Sequence, residues 1–165
     1  MVGDYQVKQE VIDLAIKKLG LHVWLDAFAS RTNKRLTKYC SLLLDQGAYK
    51  VIAFSLNWER LTPYLHSPVK LILKVLAKVE RDKAEAIIVL PAWRAQMWSQ
   101  LLQEMIVQQV DLGDSSVCLE RSHQIVELQQ QVPPGNMNAV YLIGSQKEKH
   151  FSNVRKKRLN QMMEP

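Results

Sequence analysis

The side chains best suited to chemistry lie where apolar, strand-like runs end in polar loops. Residues 24–33 and 86–98 each contain such a run and the loop that follows it. An open α/β sheet presents its binding site at the carboxyl ends of its strands, which is where these loops would lie. Asp26 belongs to the first run, and a carboxylate there could accept hydrogen bonds from a ribose or from an ammonium group. A helix cap or an ion pair with Arg31 explains Asp26 equally well.

A histidine and two tryptophans are further candidates. His66 could act as a lone base or hydrogen-bond acceptor, but a partly exposed loop histidine without such a role is the favoured interpretation. Trp93 and Trp98 flank the turn after the second run, and an exposed indole can stack on a nucleotide base. We expect Trp98 to pack in the core because it lies on an apolar stripe. Trp93, beside Arg94, is the better surface candidate.

Basic side chains form two groups that could meet a phosphate backbone. The first is a stripe on a predicted helix, formed by Lys70, Lys74, Lys78 and Arg81. The second is the segment from Gln146 onward, which has six basic and two acidic side chains in a chain of net charge +6. A solvated helix face is the favoured alternative for the stripe. The segment could equally be a flexible terminus or a nuclear address.

Composition and motifs argue against several classes of protein. Apolar residues make up 47% and charged residues 23% of the 165 residues, which is typical of a globular domain. No apolar run approaches the roughly 20 residues that cross a membrane, and the polar start predicts no signal peptide. The chain lacks paired cysteines, a Gly-rich phosphate loop, a zinc-protease motif and a nucleophile elbow. We therefore expect an intracellular protein, nuclear or cytoplasmic, without a metal site or a membrane partner.

One further chemistry has weak support from acidic residues. Asp26, Asp45 and Asp111 lie near predicted strand ends, and a magnesium-dependent nuclease would need several such carboxylates to converge on the ion.

The elements that would position these side chains follow from the spacing of apolar residues. We predict helices over 6–19, 68–81 and 94–109, and strands over 22–29, 50–55, 85–91, 116–120, 124–128 and 138–144. Residues 31–48 are predicted to be mostly loop. Leu14 and Met97 are expected on the buried stripes of their helices. The order predicts an α/β fold, a three-layer Rossmann-like sandwich with a mixed sheet and an antiparallel end. Residues 1–145 would form this domain, and residues 146–165 a basic tail.

Several short blocks, taken in their order, resemble a known family. They are Asp26-Ala27-Phe28-Ala29-Ser30 with Asn33, Tyr39-Cys40-Ser41, Ala53-Phe54-Ser55 with Asn57-Trp58, residues 64–72, Val89-Leu90-Pro91-Ala92-Trp93 with Gln96 and Trp98, and Val132-Pro133-Pro134-Gly135. Over roughly residues 11–143 they resemble the segment downstream of the reverse transcriptase and RNase H domains in DIRS-type retrotransposon polyproteins. The same order of blocks is similar to the Dam-type DNA N6-adenine methyltransferases of phages.

The resemblance to the methyltransferases implies a methyltransferase-like fold and roles for particular residues. Asp26 would help to hold S-adenosylmethionine, with Ser30 and Asn33 beside it. The catalytic loop of that family reads Asn or Asp, Pro, Pro, then Tyr or Phe. Its amide or carboxylate accepts hydrogen bonds from the adenine amine, and its ring stacks on the flipped base. This chain reads His66-Ser67-Pro68-Val69 there and retains only Pro68.

These departures affect the chemistry and leave the hydrophobic frame intact, which is typical of an enzyme that has lost its activity. The retroelement pattern also has an acid before Ala-Phe-Ser, where this chain has Ile52. The leading hypothesis is a catalytically inactive methyltransferase-like module of a retroelement polyprotein. It would bind DNA, RNA or their hybrid, or a partner such as the reverse transcriptase and RNase H domains. The candidate contacts with nucleic acid are Lys70, Lys74, Lys78, Trp93, Arg94, Arg155, Lys156, Lys157 and Arg158.

Two alternatives stay open. One is an active S-adenosylmethionine-dependent DNA N6-adenine methyltransferase with a divergent loop, which Asp26 and the block order support. The other is a structural or oligomerisation domain.

Overall fold

The structure is a computed structural model that describes residues 5–29, 34–36, 38–39, 53–121 and 133–144. Its strands are β1 (Tyr5–Val7), β2 (Leu25–Asp26), β3 (Lys38–Tyr39), β4 (Pro63–Leu65), β5 (Glu85–Pro91), β6 (Ile106–Asp114), β7 (Leu119–Arg121) and β8 (Asn136–Ile143). Its helices are α1 (Gln9–Leu19), α2 (Ile72–Arg81), α3 (Ser99–Met105) and α4 (Ser115–Cys118), with short 3₁₀ turns at Ala53–Ser55 and Val69–Leu71.

Six strands form one mixed sheet in the order β3-β2-β4-β5-β8-β6. The four strands from β3 to β5 run parallel, and β8 is antiparallel to both of its neighbours. Strands β1 and β7 pair separately as an antiparallel ribbon. The protein is therefore a mixed α/β fold with a mostly parallel sheet flanked by helices, as the order of apolar segments predicts.

The core has two apolar layers, one on each face of the sheet. Side chains of β5 alternate between them: Ile88 and Leu90 pack with α2 and α3, whereas Ile87 and Val89 pack with α1. A strand covered on both faces has a nearly continuous apolar sequence, and the bounds of the predicted strand 85–91 are accordingly those of β5.

Helix α2 confirms the predicted helix, although its first turn is 3₁₀ and lies after Pro68. The expectation that Lys78 belongs to the exposed stripe is wrong, since only 5% of its side chain is exposed. Its ammonium lies 2.8 Å from Asp82 Oδ2 and 5.0 Å from the centre of the Trp58 ring. Asp82 also accepts a hydrogen bond from the Trp58 backbone N–H at 3.0 Å. Lys78 therefore anchors the end of the helix to the preceding loop.

The helix predicted over 6–19 is confirmed as α1, which begins at Gln9, because Gln6 and Val7 belong to β1 and pair with β7. Of the strand predicted over 50–55, residues 50–52 lie outside the described residues. Residues 53–55 form a 3₁₀ turn rather than a strand, since the Leu56 N–H and the Trp58 indole both donate to the Ala53 carbonyl. In addition, only Leu25–Asp26 of the predicted strand 22–29 pairs in the sheet, and Lys38–Tyr39 forms a strand inside the predicted loop.

Two predictions in the second half are confirmed only in part. The helix predicted over 94–109 is confined to α3, because residues from 106 onward pair with β8 as strand β6. The strand predicted over 116–120 begins only at Leu119, as β7, because residues 115–118 form α4, which begins where the Asp114 carboxylate accepts from the Ser116 N–H at 2.9 Å. The predicted strand 124–128 and the basic tail lie outside the described residues.

Leu14 and Met97 do not lie on buried stripes. Their side chains are 55% and 84% exposed. Ile12 takes the inward position on α1, and Met97 lies in the turn before α3 begins. No helix in the described part of the chain has the length and apolarity that a bilayer-spanning segment requires.

Candidate functional site

The carboxyl ends of β2 and β4 meet at the point where the strand order reverses. From β2 the chain passes to β3 on one side and then crosses to β4 on the other side. In open α/β sheets, ligands bind in the crevice at such a switch point. Asp26 ends β2, Tyr64 lies level with it in β4, and His66 directly follows β4. The fold thus brings together Asp26 and His66, which the sequence singles out from separate segments.

The Asp26 carboxylate is fully buried at this point. Its Oδ2 accepts a hydrogen bond from the Arg35 backbone N–H at 2.7 Å, and no hydrogen bond reaches Oδ1 from the described residues. Burial raises the pKa of Asp26 to about 7, against the opposing hydrogen bond and charge of Arg35. Its carboxyl group is therefore partly protonated near neutral pH. Arg31, the suggested partner, lies outside the described residues. Arg35 is the arginine that the structure shows interacting with the carboxylate.

Tyr64 is a second buried polar group beside Asp26. Its hydroxyl finds no hydrogen-bond partner in the described ranges. Burial and the negative charge of Asp26 raise the pKa of Tyr64 well above its ordinary value, so the phenol stays protonated. A buried polar group without a partner is destabilising by roughly 1–3 kcal/mol. The sequence does not indicate that Tyr64 is buried beside Asp26, because its strand is only three residues long and its pairing with β2 is non-local.

The ribbon of β1 and β7 covers the switch point. The Arg35 side chain donates from Nε to the Val7 carbonyl at 2.7 Å and forms an ion pair with Glu120, so it holds both ribbon strands. Gln6, from the same ribbon, places its Oε1 3.3 Å from Nδ1 of His66. These contacts span 28 to 85 residues of sequence, which is why sequence patterns do not reveal them.

His66 is buried rather than partly exposed, which corrects the expectation from the sequence. Only 7% of it is accessible, and its ring lies 6.2 Å from that of Tyr5. Burial, followed by the charge of Arg35, lowers the pKa of His66 to about 4. The imidazole is therefore neutral at neutral pH. This is the protonation state that a base requires, but little of the ring is accessible.

The rest of the loop after β4 also turns inward. Ser67 is buried, and its hydroxyl donates to the Pro68 carbonyl at 3.2 Å. Val69 is half-buried and packs against the core. The loop offers neither a carboxamide or carboxylate nor an aromatic ring, the two features with which the resembling methyltransferases hold adenine.

The structure does not show the other predicted site residues at the switch point. Ser30, Asn33, Asp45 and the basic residues Arg155, Lys156, Lys157 and Arg158 lie outside the described residues. Asp111 lies in the edge strand β6, which β4, β5 and β8 separate from β2. Within the described ranges, no group of three or more acidic, histidine or cysteine side chains could hold a metal ion.

A basic surface lies at the carboxyl edge of β4 and β5. These strands are parallel neighbours, so the loops that follow them leave the sheet side by side. Lys70 and Lys74, after β4, and Arg94, after β5, are exposed; we call these three residues the basic edge. The Lys74 ammonium lies 4.3 Å from the centre of the Phe54 ring, a contact that restrains its position.

Trp93 lies beside the basic edge and is half-buried. Its indole N–H donates to the Pro134 carbonyl at 2.8 Å, and its ring lies 6.3 Å from that of Trp98. Trp98 is 7% exposed, which confirms its place in the core. The remaining open surface of Trp93 is the part that could meet a base.

Comparisons of the chain with protein-family models, with curated proteins and with solved structures found no match, so the resemblance to methyltransferases and retroelements stays a prediction.

Proposed function

We propose that this chain is a catalytically inactive, methyltransferase-like module that binds nucleic acid, and that it belongs to a retroelement polyprotein. The observation that carries the inactive part is the closed switch point. Asp26 and His66 are buried beneath the ribbon of β1 and β7, and the loop after β4 lacks the groups that hold adenine. The polyprotein part rests on the resemblance alone, and a reverse transcriptase coding sequence upstream would support it.

S-adenosylmethionine does not fit the described residues as they are arranged. A ligand at the switch point would need to reach the Asp26 carboxylate, which has no accessible surface and already accepts a hydrogen bond from Arg35. The Arg35 contacts with Val7 and Glu120 would have to break before the ribbon could move aside. We therefore assign no catalytic step to these residues.

The basic edge supports the nucleic-acid part of the proposal. Lys70, Lys74 and Arg94 are exposed on elements that follow neighbouring parallel strands, and exposed cations of this kind contact phosphates. Trp93 precedes Arg94 and is only half-buried, which leaves part of its ring open for base stacking. The net charge of +6 adds a long-range attraction to a polyanion.

Fluorescence anisotropy with labelled oligonucleotides of equal length tests this proposal. Duplex DNA, single-stranded DNA, RNA and DNA–RNA hybrid are titrated with the protein at low salt. We expect saturable binding that weakens at least roughly tenfold in Lys70→Glu/Lys74→Glu, because two phosphate contacts become repulsions.

The matched control is Lys17→Glu/Arg60→Glu, which makes the same change of charge at exposed positions away from the basic edge. It should lose far less affinity. Absence of binding to all four nucleic acids, or equal losses in the two double variants, would contradict the proposal.

The alternative of an active DNA N6-adenine methyltransferase is favoured by one observation: Oδ1 of Asp26, at the switch point, has no hydrogen-bond partner among the described residues. Calorimetric titration with S-adenosylmethionine distinguishes the active enzyme from the inactive module that we propose. Saturable binding that disappears in Asp26→Ala would favour the enzyme, whereas no heat at millimolar cofactor is the result that our proposal predicts.

A further inference from the structure

A groove of about 410 Å³ runs between α1 and β6, far from the switch point. Its lining includes Glu10, Leu14 and Lys18 from α1 and Val110 and Leu112 from β6. The groove is mostly apolar and lies beside Leu14, the exposed residue that the sequence places in the core. Val11, Val110 and Leu112 are half-buried around Leu14, so an apolar side chain from a partner could pack against all four.

Strand β6 forms the open side of this groove. It is nine residues long and is the last strand of the sheet, and no described strand pairs with its outer edge. Long edge strands are templates for pairing with another chain, and proteins usually protect them with lysine or proline. Strand β6 contains neither residue, and Val107 within it is 47% exposed. Within the described residues, the strand carries two exposed carboxylates, Asp111 and Asp114, and two register shifts against β8.

The exposed face of α1 is complementary to itself. Glu10, Leu14 and Lys18 are spaced by four residues and so form one stripe along the groove. Neither charged residue makes an ion pair with any described residue, which leaves both charges available. When two such helices lie antiparallel about Leu14, Glu10 faces the partner's Lys18, Lys18 faces the partner's Glu10, and the two leucines meet.

We propose that this face is a homodimer interface. A two-fold axis brings the same patch of both subunits together, which is the condition that a self-complementary stripe satisfies. Strand β6 pairs antiparallel with the partner's β6, so that one sheet continues through both subunits. The Glu10–Leu14–Lys18 stripe packs against its copy above that seam. This proposal is independent of nucleic-acid binding, because the basic edge lies on other elements.

Sedimentation velocity over a range from low micromolar to several hundred micromolar tests the interface. We expect a dimer that forms with rising concentration. Glu10→Lys and Lys18→Glu each place like charges together twice, once at each symmetric contact, and should weaken the dimer by roughly tenfold. Lys17→Glu, an exposed reversal on the same helix outside the groove, is the control that should dimerise like the original chain.

Mixing the two variants tests the antiparallel arrangement itself. In a heterodimer of Glu10→Lys with Lys18→Glu, both contacts join opposite charges again, so the mixture should recover the dimer that each variant alone loses. This recovery also shows that the variants are folded. A monomer at the highest concentration, a dimer that ignores both reversals, or a mixture that stays monomeric would overturn the proposal.

A second variant tests the strand part of the interface. Val107→Lys places a lysine on the open edge of β6, where it opposes pairing, and we expect it to weaken the dimer. Val107→Thr keeps a β-branched side chain and should leave dimerisation intact. Equal dimerisation of both variants would exclude β6 from the interface.

Discussion

Asp26 is a buried carboxyl group whose ionisation opposes folding. Its pKa is about 7 in the folded protein, against an ordinary value of 3.8. The folded state therefore retains a proton that the unfolded chain has already released. Stability from this group is fully present below about pH 4 and is lost as the pH rises towards 7.

We predict that Asp26→Asn stabilises the protein increasingly as the pH rises. Asparagine cannot ionise, so the difference in free energy of unfolding from the original chain should grow between about pH 4 and pH 7, towards roughly 4 kcal/mol. Urea unfolding at several pH values measures it. His66, whose pKa is lowered to about 4, makes both proteins less stable towards acid and largely cancels in the comparison. A difference that does not vary with pH would show that the carboxyl group is not buried in this way.

The sequence locates some residues of the switch point and misses others for a physical reason. Asp26 and His66 stand at the ends of apolar runs, and strand ends are visible in a local pattern. Tyr64, Arg35 and Gln6 act through contacts with distant parts of the chain, which leave no local pattern. Burial of the loop follows from those same contacts, so the inward turn of His66 could not be predicted.

At the scale of elements, helix α2 is fixed to the loop before β4 by one polar anchor. The Lys78 ammonium, the Asp82 carboxylate and the Trp58 backbone N–H are joined within 3.0 Å. Burial alone would raise the pKa of Asp82, but the hydrogen bonds from Lys78 and Trp58 and the charges of Lys78 and Arg81 hold it below its ordinary value. This anchor is therefore strongest above that value and weakens as acid protonates the carboxylate.

We predict that Asp82→Ala destabilises the protein by roughly 2–3 kcal/mol at neutral pH, because it leaves the buried Lys78 charge without a partner. Thermal and urea unfolding measure the loss. Arg81→Met is the control, since Arg81 is 71% exposed and its Nε lies 3.6 Å from Asp82. It should change stability by no more than about 0.5 kcal/mol. Similar losses in the two variants would mean that the anchor does not stabilise α2.

Some helices and strands are predictable from a local sequence pattern, whereas others depend on pairing with distant parts of the chain. Strand β5 and helix α2 are predicted because continuous or stripe-like apolar patterns persist over seven and ten residues. Strands β1 and β3 are two or three residues long and exist only through their partners. The helical spacing of apolar residues continues beyond Met105, where α3 ends. The following residues form β6 instead, because they pair with β8. Non-local pairing thus overrides helical spacing at the edge of the sheet.

At the scale of the whole molecule, both faces of the sheet are covered by helices, and two parts of its border differ in character. The basic edge of Lys70, Lys74 and Arg94 lies where β4 and β5 end, beside the buried Asp26 and His66. The outer edge, β6, is nine residues long, and no described strand pairs with its outer side. We interpret the first as a surface for nucleic acid and the second as a surface for a second copy. The sequence predicts the mixed sheet and the basic residues, but it does not place them on a common edge, because strand order is non-local.

The salt dependence of nucleic-acid binding tests the central claim most directly. Affinity for duplex DNA is measured over a series of salt concentrations for the original chain, for Lys70→Gln/Lys74→Gln, and for Lys17→Gln as control. If the two lysines contact phosphates, neutralising both should reduce the slope of log affinity against log salt by about two, because each contact releases close to one counterion. The control should keep the original slope. An unchanged slope in the double variant, or no binding to measure at low salt, would contradict the account.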